Sequence, residues 1–97
     1  MEYIFSSRGV AVGFHRGGFV YALDGRPVGQ TSGTHVHRLN GQYVGELHDG
    51  MVVDMNVGIV GSIGSAGNPG NAGNPGNPGN RGASGSGYRD VFERLIG

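Results

Sequence analysis

Residues 20–30 read VYALDGRPVGQ and residues 36–46 read VHRLNGQYVGE. Both follow one pattern, V-x-x-L-[D/N]-G-x-x-V-G, at a spacing of sixteen residues. Stepping back sixteen from Val20 reaches Ile4, followed by Arg8-Gly9 and Val12-Gly13. Stepping forward from Val36 reaches Val52, then Met55-Asn56 and Val60-Gly61. The first two-thirds of the chain is therefore one short unit written four times.

Asp24-Gly25 and Asn40-Gly41 sit between short apolar runs, the strongest local signal for a β-hairpin with a two-residue type I′ turn. Arg8-Gly9 fits that slot less well. Asn56-Val57 fits poorly, because a β-branched residue resists positive φ, so the fourth turn is expected to slip and place Gly58 at the strained position. Gly17-Gly18, Ser32-Gly33 and Asp49-Gly50 are further turn signals between the hairpins. The pattern predicts outgoing strands near 3–7, 19–23, 35–39 and 51–55, and return strands near 10–15, 26–31, 42–47 and 58–63. A lone hairpin is marginal in water, whereas four can bury a common face and cover their edges by closing round an axis. The expected fold is all-β, with four sixteen-residue hairpins in a pseudo-fourfold shallow barrel or flower. An open, flat sheet is the alternative.

The period also sorts residues into rings. Ile4, Val20, Val36 and Val52 form one, Val12, Val28, Val44 and Val60 a second, and both read as core. Gly13, Gly29, Gly45 and Gly61 form a third, which reads as a bend or a close backbone approach. Tyr3, Phe19, His35 and Met51 are equivalent to one another, as are Phe5, Tyr21, His37 and Val53. Residues two apart on a strand share a face, so these eight large and chemically unequal side chains fall on one side. They are the first place to look for a ligand, with Tyr3, Phe19, His35, Met51, Phe5, Tyr21 and His37 as candidate binding residues.

The segments GRPVGQ, GTHVHRL, YVGEL and GMVVD resemble the four-fold beta flower domain of bacterial proteins. The resemblance covers about residues 1–63 and rests on the repeated L-[D/N]-G-x-x-V-G-[Q/E] units. It implies four hairpins around a pseudo-fourfold axis and brings no activity or catalytic residues with it. The tail lies outside it.

From Gly61 to Gly85 glycine stands at every third position. This Gly-x-y tract, 64–87 as a segment, has three readings. One is a collagen-like triple helix, although prolines are few. The second is a bundle of polyproline-II strands, and the third a flexible linker. Beyond it, Tyr88, Val91, Phe92 and Leu95 fall on one face of a helix expected over 88–97, with Ile96 beside them and Ser86 as candidate N-cap. A helix so short must dock on its own β domain or on a partner.

With 97 residues there is room for one small domain. There is no cysteine, so no disulfide, and no lysine, so no P-loop or Schiff-base lysine. Seven arginines balance seven acidic residues, which gives no electrostatic case for nucleic acid. No signal peptide or membrane-spanning run is read, so a cytoplasmic protein is expected. His35-Val36-His37 can begin a metal site with Glu46, Asp49 or Asp54, but a third ligand is not evident. The same carboxylates could serve a Ser-His-Asp set with Ser32, yet neither G-x-S-x-G nor G-x-G-x-x-G occurs. Arg8, Arg16, Arg26 and Arg38 could line an anion rim, against a solvated default.

The first reading is thus a non-catalytic structural or interaction module. It has a β flower at 1–63, associates with itself through tail or helix, and needs no cofactor. The alternative is a protein that binds a small apolar ligand in the aromatic and histidine ring. A histidine metal site is the third reading.

Overall fold

The computed structural model describes residues 1–83 and 87–96. Eight strands pair in chain order into one antiparallel sheet. They are β1 (Glu2–Phe5), β2 (Ala11–Arg16), β3 (Phe19–Ala22), β4 (Pro27–Ser32), β5 (His35–Arg38), β6 (Tyr43–His48), β7 (Met51–Asp54) and β8 (Arg89–Asp90). The sheet curls into a half-barrel that brings β1 to β7, where the Phe5 N–H donates to the Gly50 carbonyl at 2.8 Å. Asp90 Oδ2 accepts from the Ser7 N–H at 2.9 Å and draws β8 against the first hairpin.

The sixteen-residue repeat is visible in the register. Ile4 faces Gly13, Val20 faces Gly29 and Val36 faces Gly45, each followed by a bulge. The hairpin turns differ from the expected type I′. In the second hairpin the Ala22 N–H reaches the Arg26 carbonyl and the Gly25 N–H returns to the Ala22 carbonyl, both at 2.9 Å. That is a three-residue loop with only glycine in the left-handed region, at φ 88° for Gly25. Asp24 and Asn40 do not need positive φ. Their side chains instead accept the N–H two residues on, Arg26 and Gln42, at 3.0 Å. The two-residue turns with positive φ at both positions lie at the opposite end, at Gly17-Gly18 and Asp49-Gly50.

The fourth hairpin is where the period breaks. Gly58 does take positive φ, at 96°, but residues 58–63 form no strand and Ile59 is fully exposed. The pairs Tyr21–Pro27 and His37–Tyr43 place Ile59 opposite Val53, yet Asp90 stands there. The expected return strand is thus replaced by a segment from the far end of the chain. The slip at Asn56-Val57 carries the local strand away from β7, and the vacated edge is paired by β8.

The C-terminal segment then covers the valine face. Ile4, Val20, Val36 and Val52 are buried with Val28 and Val44, and Val91, Phe92 and Leu95 join the same cluster. The helix α1 is shorter than expected, Glu93–Ile96, and Asp90 accepts the Phe92 N–H at its start. Ser86, the expected cap, lies outside the described residues. Tyr88 is not part of the buried stripe; it stands 5.3 Å edge-on from His48. The docking surface is the glycine ring. A methyl group at Gly13 would fall 2.9 Å from Phe92, at Gly29 3.0 Å from Leu95, and at Gly45 2.9 Å from Val91. It would also fall 2.3–2.9 Å from the carbonyl of the next strand, at Tyr21, His37 or Val53. The ring is bare because neighbouring backbone and the plug occupy the space.

Over its described residues, 64–83 and 87, the Gly-x-y tract runs as neither triple helix, polyproline-II helix nor free linker. Gly67, Gly70, Gly73, Gly76 and Gly79 have φ between 68° and 90°, whereas polyproline II needs about −75°. Asn68, Asn74 and Asn77 each accept the N–H of the glycine two residues on, at 2.8–2.9 Å. Asn-Pro-Gly here writes a chain of turns, with proline pre-set and glycine at positive φ. This strap runs back along the hairpin loops. Ile63 donates to the Gly41 carbonyl, Ala72 to Gly25 and Arg81 to Gly9, at 2.8–3.0 Å. The donors stand nine residues apart and the acceptors sixteen, so three triplets span one hairpin. Positive φ and the close pass of the strap both demand glycine at 9, 25 and 41.

Gly45 and Gly61 hold the same place in the repeat, but only Gly45 lies under the plug. Gly45→Ala is expected to lower stability by about 1–3 kcal/mol through overpacking. Gly61→Ala, with open space around it and no positive φ, should leave the denaturation midpoint unchanged or slightly raised. Paired chemical denaturation curves check this, and equal effects of the two changes would refute the assignment.

Candidate functional site

The second face of the sheet carries the residues singled out from sequence, and it divides into two unlike clusters. On the first two hairpins it is aromatic. Phe14 stacks on Tyr21 with ring centres 5.1 Å apart, and Phe19 tilts against Tyr21 at 6.5 Å. The strap lies on this cluster. The Tyr3 hydroxyl donates to the Pro75 carbonyl at 2.9 Å, and the Arg81 guanidinium sits 4.6 Å above the Phe5 ring. Arg81 also donates to the Asp49 carbonyl, so one side chain ties the first hairpin to the turn before β7. A cavity of about 320 Å³ remains between Arg16, Phe19, Tyr21 and strap residues Pro69 and Ala72.

On the third hairpin the same face is polar. Register places His35 opposite Glu46 and His37 opposite Tyr43. Glu46 is buried and accepts three hydrogen bonds: from His35 Nδ1 at 2.7 Å, the Tyr43 hydroxyl at 2.7 Å and the Thr34 hydroxyl at 2.8 Å. Burial pushes its carboxyl upward, but the bonds from His35, Tyr43 and Thr34, with the charge of His35, outweigh it and hold the group below its ordinary range. Tyr43 moves the other way. Burial first, then its bond to Glu46, hold the phenol well above its ordinary range.

His37 lies at the centre of this group, fully buried, edge-on to Tyr43 at 5.6 Å and to His35 at 6.5 Å. Its Nδ1 meets the Gly41 carbonyl at 2.9 Å. A carbonyl only accepts, so Nδ1 is the donor. The Nε2 of the same ring is buried and has no hydrogen-bond partner among the described residues. The Gly41 carbonyl also accepts from Ile63, so the strap and His37 share one acceptor.

The candidate residues are therefore not gathered in one open ring. Tyr3, Phe5, Phe19 and Tyr21 belong to the strapped aromatic cluster and His35 and His37 to the polar one, while Met51 and Val53 are fully buried. Tyr43 was missed from sequence. The signal available was its place opposite His37 in the repeat, where Ala11 and Pro27 stand in the other copies. Among the described residues no group of three or more His, Asp or Glu side chains is placed to hold a metal ion. Ser32 faces His35 across β4 and β5, which puts Ser32, His35 and Glu46 in one cross-strand row. No hydrogen bond joins Ser32 to His35, and the Thr34 hydroxyl is spent on Glu46. Chemically the arrangement is a carboxylate clamped by three donors, which fixes the His35 ring.

The match to a family model follows this architecture. The model described as 4-fold beta flower protein matches residues 2–92, and the chain belongs to that family. The match runs through the strap and into the plug, so the tail, expected to lie outside the resemblance, is part of the family pattern. No curated protein and no solved structure matches the chain. Among the described residues no helix is long and apolar enough to cross a membrane.

The clamp has a pH signature. Because the folded-state value of Glu46 is lowered, its contribution to stability is present above the ordinary glutamate value of 4.5 and is lost as pH falls through the lowered one. Tyr43, with a raised value, loses its contribution as pH rises above 10. Glu46→Gln is expected to cost about 1–2 kcal/mol at pH 7 and to flatten the acid limb of stability against pH. Urea denaturation from pH 3 to 8 measures both, and an unchanged acid limb would refute the role of Glu46.

Proposed function

We propose that this beta-flower module is non-catalytic, and that it acts as a structural and interaction unit that associates with further copies of itself through its C-terminal helix. One observation carries the reading. The plug covers the valine face and the strap lies over the aromatic half of the other, while α1 leaves Ile96 half-exposed on the outside, at 51%. The strap is tied to the hairpin loops through the Ile63, Ala66, Ala72 and Arg81 N–H groups, which favours the helix over the tract as the element that meets another copy. The clamped carboxylate supports the same reading: its three donors fix neighbouring strands, and among the described residues nothing nucleophilic is bonded to His35. Sedimentation velocity over a wide concentration range tests the association. A mass above that of the 10.0 kDa chain, rising with concentration, is expected. A monomer throughout would sink the reading.

A second reading, binding of a small apolar ligand at the histidine end of the face, is favoured by the Nε2 of His37, which has no partner among the described residues. A ligand with an apolar body and one donor would satisfy it, in the manner of small-molecule pockets. Phenol is a suitable probe in a thermal-shift assay. This reading expects a stabilising shift that His37→Phe abolishes, with circular dichroism checking that the variant, which adds volume and loses the bond to Gly41, still folds. Absence of a shift in the parent protein would count against it.

A further inference from the structure

Two grooves flank α1, and they are copies of one another in the repeat. The first is lined by Ala11, Val12 and Leu23, the second by Pro27, Val28 and Leu39, which are the same positions sixteen residues on. Each has a volume of about 350–400 Å³, and Ile96 forms a wall of both. The helix thus lies as a ridge between two equivalent furrows. Their charges are opposite. The first carries Asp90 and Glu93, the second Arg26 and Arg38.

The free charges on the two sides are specific. Asp90 is committed to the Ser7 and Phe92 N–H groups. Arg38 is committed to the Arg94 carbonyl at 2.9 Å and to Gln42 at 3.2 Å. Glu93 and Arg26 are exposed, and among the described residues neither side chain makes a hydrogen bond or ion pair, the bonds of Arg26 being those of its backbone. An exposed isoleucine therefore stands between one unpaired anion and one unpaired cation. A surface of this kind is complementary to itself. A two-fold axis through Ile96 sets each groove against the opposite groove of a second copy, as an isologous interface requires.

We infer that the α1 ridge and its two grooves form a self-complementary dimer interface, with Ile96 at the two-fold axis and Arg26 of each copy paired to Glu93 of the other. The inference rests on the self-association proposed above and names its surface. Desolvated isoleucine contact supplies the attraction, and the two crossed ion pairs fix the orientation and exclude other pairings.

Charge reversal tests this in the full chain. Arg26→Glu makes both crossed contacts acidic, and Glu93→Arg makes both basic, so each variant alone should weaken dimerisation at least tenfold. Mixed in equal amounts they form two correct pairs per heterodimer and should regain the parental mass in sedimentation velocity. Both side chains are exposed, and circular dichroism confirms that the variants fold. Recovery in the mixture supports the interface. If the parent associates and the single variants keep its mass, the surface lies elsewhere, and the same holds if the mixture fails to recover; self-association then stands without this interface. A parent that stays monomeric overturns the interface together with the reading beneath it.

Discussion

Everything in this fold depends on the missing side chains of Gly13, Gly29 and Gly45. A curled sheet of four-residue outgoing strands has little apolar surface of its own, and small domains bury a modest share of what their unfolded chains expose. The bare glycine positions let the carbonyls of Tyr21, His37 and Val53 come in close and leave a floor on which Phe92, Leu95 and Val91 rest. The valine face becomes a core only when that plug is seated. The family match extends through residue 92, the second plug residue, which is consistent with head and plug forming one cooperative unit.

The same economy explains the fourth hairpin. A meander of four identical hairpins would end on a free return strand, and an unpaired edge is a liability. Here the edge of β7 is paired by a strand of two residues that leads directly into the plug, while Asp90 is bonded to the first hairpin. Closure and core filling are achieved by one segment. The cost is that residues 58–63, which carry the repeat's own Val-Gly signature, are left outside the sheet with Ile59 in solvent.

The repeat itself, seven of its eight strands, its valine and glycine rings apart from Val60 and Gly61, and the slip near Asn56 were legible in the sequence, because each depends on local chemistry read at a fixed period. The family was legible for the same reason. What failed was whatever depends on segments distant in the chain. Val60-Gly61 matches the pattern as well as Val28-Gly29, and nothing local says that Arg89–Asp90 will take its place. The tract was misread because a glycine at every third position suits both negative and positive φ. The asparagine before each proline was the discriminating residue, since its side chain closes a turn on the next glycine. The aromatic and histidine face was found correctly as a face. Its division into a strapped half and a clamped half was not visible, because it turns on Glu46 and Tyr43, and on a strap whose course only the folded chain reveals.

The donors at Ile63, Ala72 and Arg81 and the acceptors at Gly41, Gly25 and Gly9 set a fixed exchange between two rulers, nine residues of strap against sixteen of head. Length changes in one part of the gene are therefore not independent of the other. A triplet gained or lost between two anchor points leaves the glycine period intact yet puts every later anchor out of step, so the tract tolerates substitution at its exposed positions far better than it tolerates a change of length. A duplicated hairpin would need three further triplets to be spanned. The low-complexity tail, the part of the chain that looks most free to drift, is held to a count by the loops it passes.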